Sequence, residues 1–283
     1  MSPREPVTSL SAVSPACLLG SRVSSLSGQH LLDPVSPSSA TRPLLSAGLD
    51  GCRRGWVCIG WDGRKWSALV FTTLADSLAF IAPGARVCID IPVGLSETGL
   101  RACDTEARRL LGPRRSSVFP APPHFALEER GYAELNAESK RRYGRGISKQ
   151  AFYVLPTIRD TARLLHAHRA YCANWREAHP ELCFAALQGG VPMSESKKTA
   201  SGFVQRLALL QKRMGRRAVA KLMEQLDAHP LRSGVSKDDI LDAMVCGYVA
   251  RLDKSMLREL PDGQVERSPT GEAMTISFPT FHV

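Results

Sequence analysis

One short run constrains the fold more than any other: Val87-Cys88-Ile89-Asp90-Ile91-Pro92, within an apolar segment from Ala85 to Ile91. A near-continuous apolar run of strand length suits a strand buried on both faces, which requires helices above and below its sheet. Asp is disfavoured in strands, and an unpaired charge is expensive to bury there. Asp90 therefore needs a compensating cation, either a buried arginine or a bound ion.

The chain before this run reads as a three-stranded antiparallel meander. Leu44 to Asp50 is an apolar strand ending in the Gly-rich turn Gly48-Leu49-Asp50-Gly51. Trp56 to Trp61 and Lys65 to Phe71 are the next two strands, and Asp62-Gly63 between them is a two-residue hairpin signal. A short helix over Leu74 to Ile81, stopped by Pro83-Gly84, leads into the buried strand. Further helices are expected over 101–111, 126–142, 149–169, 199–212, 216–228 and 237–252, with strands near 174–179 and at Thr275 to Phe278. Hairpins followed by strands alternating with helices predict an α/β fold built on a mixed sheet with helices on both faces.

Residues 1–43 differ from the rest. They are rich in Ser and Pro and lack either periodicity, so they read as a disordered extension ahead of a domain over 44–283. The extension is Ser-rich and acid-poor, a weak transit-type signal, and it lacks the apolar core of a secretory signal. A dispensable tail, or a start codon upstream of the natural one, is the reading preferred here. Of the net charge of +10, this segment carries +1, which leaves +9 on the folded part. That balance favours an acidic partner such as nucleic acid, DNA or RNA.

Eight cysteines are scattered with no C-x-x-C pair and no H-E-x-x-H motif. They read as buried free thiols of a reducing, cytoplasmic environment and not as a zinc site. No apolar stretch approaches the ~18 residues of a membrane span.

Several acids stand where folding alone does not put them. Asp50 closes an apolar strand, and Asp90 lies inside one. Each has a structural reading, Asp50 as a turn residue and Asp90 as the partner of a buried arginine. Ser236 with Asp239 three residues on forms a capping box, which accounts for Asp239 but not for Asp242. Asp239 and Asp242 share a helix face that continues through Ala243, Cys246 and Ala250, and two like charges there repel unless a cation sits between them. Glu181, in His179-Pro180-Glu181, follows a strand and is either a ligand or an acid favoured at a helix N-terminus. Together these carboxylates sit at strand ends and a helix start, where a sheet fold gathers its loops. Oxygen-only ligands suit Mg²⁺ or Mn²⁺, and two such ions about 3.5–4 Å apart activate water and stabilise the leaving oxygen of a phosphodiester.

A longer series of motifs carries a resemblance. It comprises Gly48-Leu49-Asp50-Gly51-Cys52 with Gly55-Trp56-Val57, Asp90-Ile91-Pro92-Val93-Gly94-Leu95, and Arg101-Ala102-Cys103-Asp104 with Ala107-Arg108. It continues through Arg115 to Pro122, Ser148-Lys149-Gln150, Glu177 to Glu181, Ser196-Lys197-Lys198-Thr199 and Asp238 to Ala243. The series resembles domain-of-unknown-function family 429, described as predicted nucleases of RNase H-like fold, from about Leu45 onward. The resemblance implies a five-stranded mixed sheet and assigns the metal-binding acids to Asp50, Asp90, Glu181 and Asp242, with Asp239 as a further catalytic acid. The Asp-x-x-Asp-Ala pattern is also similar to the last motif of RuvC-type resolvases. One departure is that Arg53-Arg54 stands where the family usually has Pro-Gly, beside the expected metal site.

Lys197, Lys198 and Arg115 are candidate phosphate contacts, the lysines because they precede a helix N-terminus. Arg141, Arg142, Arg145, Arg213, Arg216 and Arg217 lie near helix ends, where cations are favoured anyway. Aromatic content of 6% argues against a base-stacking platform and for contact through the phosphate backbone. His179 either orients a carboxylate, transfers a proton or is structural. The expected function is a metal-dependent nuclease, a hydrolase using two metal ions. The alternatives are an inactive nucleic-acid or nucleotide-binding module of the same fold, and an actin-like phosphotransferase, which the single expected sheet disfavours.

Overall fold

The computed structural model of the chain describes residues 42–281, so the expected extension over 1–43 lies almost wholly outside the described residues. The meander forms as its hairpin signals require: β1 (Leu44–Cys52), β2 (Gly55–Trp61) and β3 (Trp66–Phe71) pair antiparallel in succession. Asp62 closes the second turn by accepting the Arg64 and Lys65 N–H groups, each at 2.8 Å. β4 (Ile81–Ile89) then pairs parallel with β1, and β5 (Trp175–Glu177) parallel with β4. The strand order is β3-β2-β1-β4-β5, a mixed sheet consistent with an RNase H-like fold.

Among the described residues, seven α-helices surround the sheet: α1 (Ala102–Leu111), α2 (Tyr132–Tyr143), α3 (Lys149–Ala167), α4 (Pro180–Leu187), α5 (Ala200–Met214), α6 (Arg216–Asp227) and α7 (Lys237–Arg251). The two faces of the strands feed separate cores, as the period of two dictates. Val57, Ile59 and Cys88 pack with α1 and α4–α7, while Leu49, Cys58 and Ile89 pack with Ile158 and Leu164 of α3. α2 lies outside this, closing a small third core through Leu135 against Leu155.

α7 is buried almost all round, from Ile240 to Ala250, as a central helix covered on both sides must be. Its depth against the sheet is set by two glycines. A Cβ on Gly48 would stand 2.0 Å from the Gly247 nitrogen, so the helix backbone rests directly on β1. No side chain larger than hydrogen fits at position 48.

Several elements depart from the sequence expectation. The helix expected over 74–81 is a short 3₁₀ segment, Ala75–Ala79, because β4 already begins at Ile81; the Thr73 N–H donates to Asp76 Oδ2 at 2.9 Å at its start. Pro83-Gly84 does not stop a helix but lies inside β4, where the register against β1 shifts between Leu44 and Ser46. The last strand, Ile276–Pro279 (β7), pairs with β6 (Leu257–Leu260) in its own two-stranded sheet and joins the main one only by a bridge from Ser277 to Ala178. β6 is not expected from the sequence, and of α4 only the start is, in the reading of Glu181 as an acid at a helix N-terminus. Both are short, and α4 is apolar on every side, so it carries no helical period to read.

The seven cysteines among the described residues are free, and all but Cys52 are buried. Burial pushes the thiols of Cys58 and Cys88 up to about 12, as expected of inert small hydrophobes. No helix among the described residues is long and apolar enough to cross a membrane.

Candidate metal centre

Asp50 and Asp90 meet because β1 and β4 are parallel neighbours. Gly48 pairs with Cys88 and Leu49 with Ile89, so Asp50 and Asp90 follow in step, and the Asp90 N–H donates to the Leu49 carbonyl at 3.0 Å. With a period of two, Asp50 shares the face of Gly48, the face on which α7 rests. Asp242 precedes Gly247 by five residues, about 7.5 Å along a helix, while Asp50 follows Gly48 by two, about 7 Å along a strand. The glycine contact therefore brings the two acids level. One carboxylate oxygen from each of Asp50, Asp90 and Asp242 lies within 4.8 Å of the other two. This is the carboxyl end of parallel strands, where open α/β sheets place their ligands.

Three acids so close and so little hydrated resist ionisation. Burial, then the charges of Asp90 and Asp242, hold the Asp50 carboxyl well above the usual carboxylate range. Burial raises Asp90 and Asp242 to about 7. The opposing influence is Lys197, whose ammonium donates to Asp242 Oδ2 and is itself shifted upward by Asp242 and Asp90. Asp242 Oδ1 is buried and has no hydrogen-bond partner among the described residues.

Lys197 reaches the acids from a loop that is fastened at three points. Thr199 caps α5 by accepting the Gly202 N–H at 3.1 Å. A Cβ on Gly202 would overlap the Ser196 carbonyl at 1.9 Å, so the loop lies on the helix backbone there. Arg206, fully buried, donates to the Glu195 and Gly202 carbonyls at 3.1 and 2.9 Å and, through Nε and Nη2, to Glu181 Oε1 at 3.0 and 2.6 Å. The clamp thus joins the Lys197 loop to α4.

The expected site residues divide accordingly. Asp50, Asp90 and Asp242 converge. Glu181 lines the same cavity and raises Asp90 by its charge, but it stands outside the triad with one oxygen committed to Arg206 and the other, Oε2, buried without a hydrogen bond and 4.0 Å from Arg114 Nε. Asp239 is committed to the capping box, its Oδ2 accepting the Ser236 N–H at 2.8 Å, and it too stands outside the triad. Lys197, expected at a phosphate, has Asp242 as its partner, whereas Lys198 lines the cavity with no carboxylate within 4 Å among the described residues. Arg115 is exposed and is not among the residues that line the cavity, whereas its neighbours Arg114, Ser116 and Ser117 are.

Sequence reasoning missed Arg206, although a signal existed. Gly202, Arg206 and Leu210 recur at four-residue steps, and an arginine on the buried stripe of a helix implies a buried acid partner.

The cavity holds about 570 Å³, with Asp50, Asp90, Glu181, His179, Lys197 and Tyr153 among its walls. Part of its lining is a second ionic cluster. Buried Arg101 binds Glu177 at 2.7 and 2.8 Å and chelates Asp104, whose Oδ2 also accepts the Ala121 N–H, while Glu177 Oε2 accepts the Val93 N–H at 2.6 Å. This network fixes the loops after β4 and before α2. His179 faces the Ser117 carbonyl through Nε2 at 3.3 Å, with Nδ1 buried and unpartnered. Burial lowers its pKa, so it is neutral near pH 7.

The model of one protein family, described as "Protein of unknown function (DUF429)", matches residues 48–265. Comparison with curated proteins and with solved structures returns no match in either case.

Proposed function

The chain belongs to the DUF429 family of proteins of unknown function, and from its site we propose a metal-dependent phosphodiester hydrolase, a nuclease. One observation carries this reading. Three clustered carboxylates keep only one cation between them, and Asp242 Oδ1 is buried toward nothing. Folding alone gives no reason to keep such an arrangement, because unpaired buried charge destabilises. A divalent cation balances the residual charge, and an all-oxygen donor set suits Mg²⁺ or Mn²⁺.

Asp50, Asp90 and Asp242 are the residues that would hold the ion, and Glu181 Oε2, which accepts no hydrogen bond but lies 4.0 Å from Arg114 Nε, is the further carboxylate oxygen for a two-ion form. A bound ion supplies Lewis acidity to water and to the phosphoryl oxygens. The chain's own residues do the rest. Lys198 and Arg114 place cations on the cavity wall to orient a phosphate. Arg206 keeps Glu181 and the Lys197 loop in register. His179, with one ring nitrogen on the Ser117 carbonyl and the other buried, holds the loop before α4 and is not set to carry protons to the cavity.

A second reading has its own support. Lys197 already neutralises part of the cluster, as a binding module without catalysis would need.

The decisive assay is cleavage of labelled single- and double-stranded DNA, RNA and hybrids with Mg²⁺, Mn²⁺ or EDTA, alongside Asp90→Asn. We expect cleavage that requires metal and vanishes in the variant. Metal binding without cleavage leaves the binding module, and absence of both overturns the metal site.

A further inference from the structure

Helix α3 presents a stripe to the cavity in which one residue is out of place. Gln150, Tyr153, Val154 and Thr157, spaced i, i+3, i+4 and i+7, all line it. Thr157 of this stripe lies against β1, its Cγ2 3.4 Å from where a Cβ on Gly51, the neighbour of Asp50, would stand. Tyr153 precedes Thr157 by four residues, about one helical turn or roughly 6 Å along the wall. Its side chain is 74% exposed, the highest value among the exposed large apolar residues described. The ring rests edgewise on Phe152, with centroids 5.9 Å apart at 65°, and Phe152 is in turn held by Tyr132 at 5.2 Å. A supported ring with an open face, at the mouth of a charged cavity, matches the way proteins stack single-stranded bases.

The depth of the acids adds a second constraint. Asp50 and Asp242 are 8% and 1% exposed, so a phosphate must enter the cavity to approach them. A volume of about 570 Å³ is that of a small-molecule pocket, large enough for one nucleotide and too confined for a paired duplex. Enzymes whose target atoms lie in such pockets act on single strands or extruded nucleotides. Lys198 and Arg114 on the same wall supply the charge that a strand requires.

We propose, resting on the phosphodiesterase reading, that the substrate is an unpaired nucleic-acid strand, with the base beside the scissile phosphate stacked on Tyr153. The low aromatic content of the chain does not oppose this, since one base needs one ring.

The test measures binding, so that it stands apart from catalysis. Full-length protein with Ca²⁺ is titrated into a fluorescent single strand, the same strand as a duplex, and the same strand with one abasic site, using wild type, Tyr153→Phe and Tyr153→Ala. We expect the wild type to prefer the single strand to the duplex by tenfold or more. Tyr153→Ala should lose about tenfold, the worth of one stacked base, while Tyr153→Phe retains affinity. The wild type on the abasic strand should match Tyr153→Ala on the intact one. Equal affinity for duplex and single strand, or a Tyr153→Ala variant that binds like wild type, overturns the proposal. A protein that binds single strands through Tyr153 yet cuts nothing loses the nuclease reading and keeps this one. One that cuts duplexes while ignoring Tyr153 does the reverse.

Discussion

Two buried ionic clusters border the same cavity, and they are built to opposite standards. Around Arg101, every carboxylate oxygen of Glu177 and Asp104 accepts at least one hydrogen bond. Around Lys197, three carboxylates share one ammonium, and an oxygen of Asp242 accepts nothing. The cluster around Arg101 is the more deeply buried of the two, yet it is the one that is fully paired, so burial does not explain the difference. A completed network rigidifies the loops it joins. An incomplete one persists only when something outside the chain completes it, which is why we place the ion in the second cluster and not in the first.

Removing the guanidinium is the most damaging way to probe that contrast. Arg101→Met leaves two buried carboxylates without their donor, at a cost of about 3–5 kcal/mol, and should lower the melting temperature by on the order of 10 °C or prevent folding. Asp90→Asn, by contrast, relieves repulsion in metal-free protein and should melt at or above the wild type. If both variants are destabilised alike in thermal melts under EDTA, the two clusters are not different in kind.

Metal should reverse that ranking. A divalent ion at about a hundred times its Kd adds roughly 2.7 kcal/mol, or several degrees, to the wild type. Asp90→Asn should gain little. A shift of equal size in both would move the ion elsewhere.

A smaller effect lies in the pH dependence. The folded-state pKa of Asp90 is raised to about 7, above its unfolded value, so the folded protein binds more protons between the two. Its stability is highest below the unfolded pKa and is lost as pH rises through 7. The melting difference between Asp90→Asn and wild type, without metal, should therefore be near zero at pH 4 and largest above pH 7. Taking the difference removes the opposite contribution of His179, whose depressed pKa disfavours the folded state in acid.

These contrasts also mark what a sequence can disclose. Asp50 and Asp90 were legible because strand patterning makes an interior acid conspicuous, and the capping box separated Asp239 from Asp242 correctly. What brings Asp242 to them was not legible: the contact of Gly48 with Gly247 depends on two residues nearly 200 positions apart with no side chains to pattern. The same holds for Lys197. Its sequence context, a basic pair ahead of a helix, points to phosphate, and only the Arg206 clamp shows that the loop folds back onto the acids. Local patterns report which groups are costly to bury, whereas partners come from topology.

Lys197 supplies the finest test of the comparison. Its ammonium occupies Asp242 Oδ2 and repels any cation entering beside it, so in the metal-free protein it does incompletely what the ion would do fully. Two unit charges at 4 Å interact by about 1 kcal/mol in water and about 4 kcal/mol at an effective dielectric of 20, and the partly exposed lysine falls between these limits. Lys197→Met should therefore bind Mn²⁺ at least severalfold more tightly in calorimetric titration, while its metal-free form melts lower than wild type. A lysine that instead belonged to a finished ion pair, like Arg101, would show only the second effect. Tighter metal binding with lower apo stability is the signature of a cluster left open for an ion, and unchanged or weaker binding would put the two clusters in the same class.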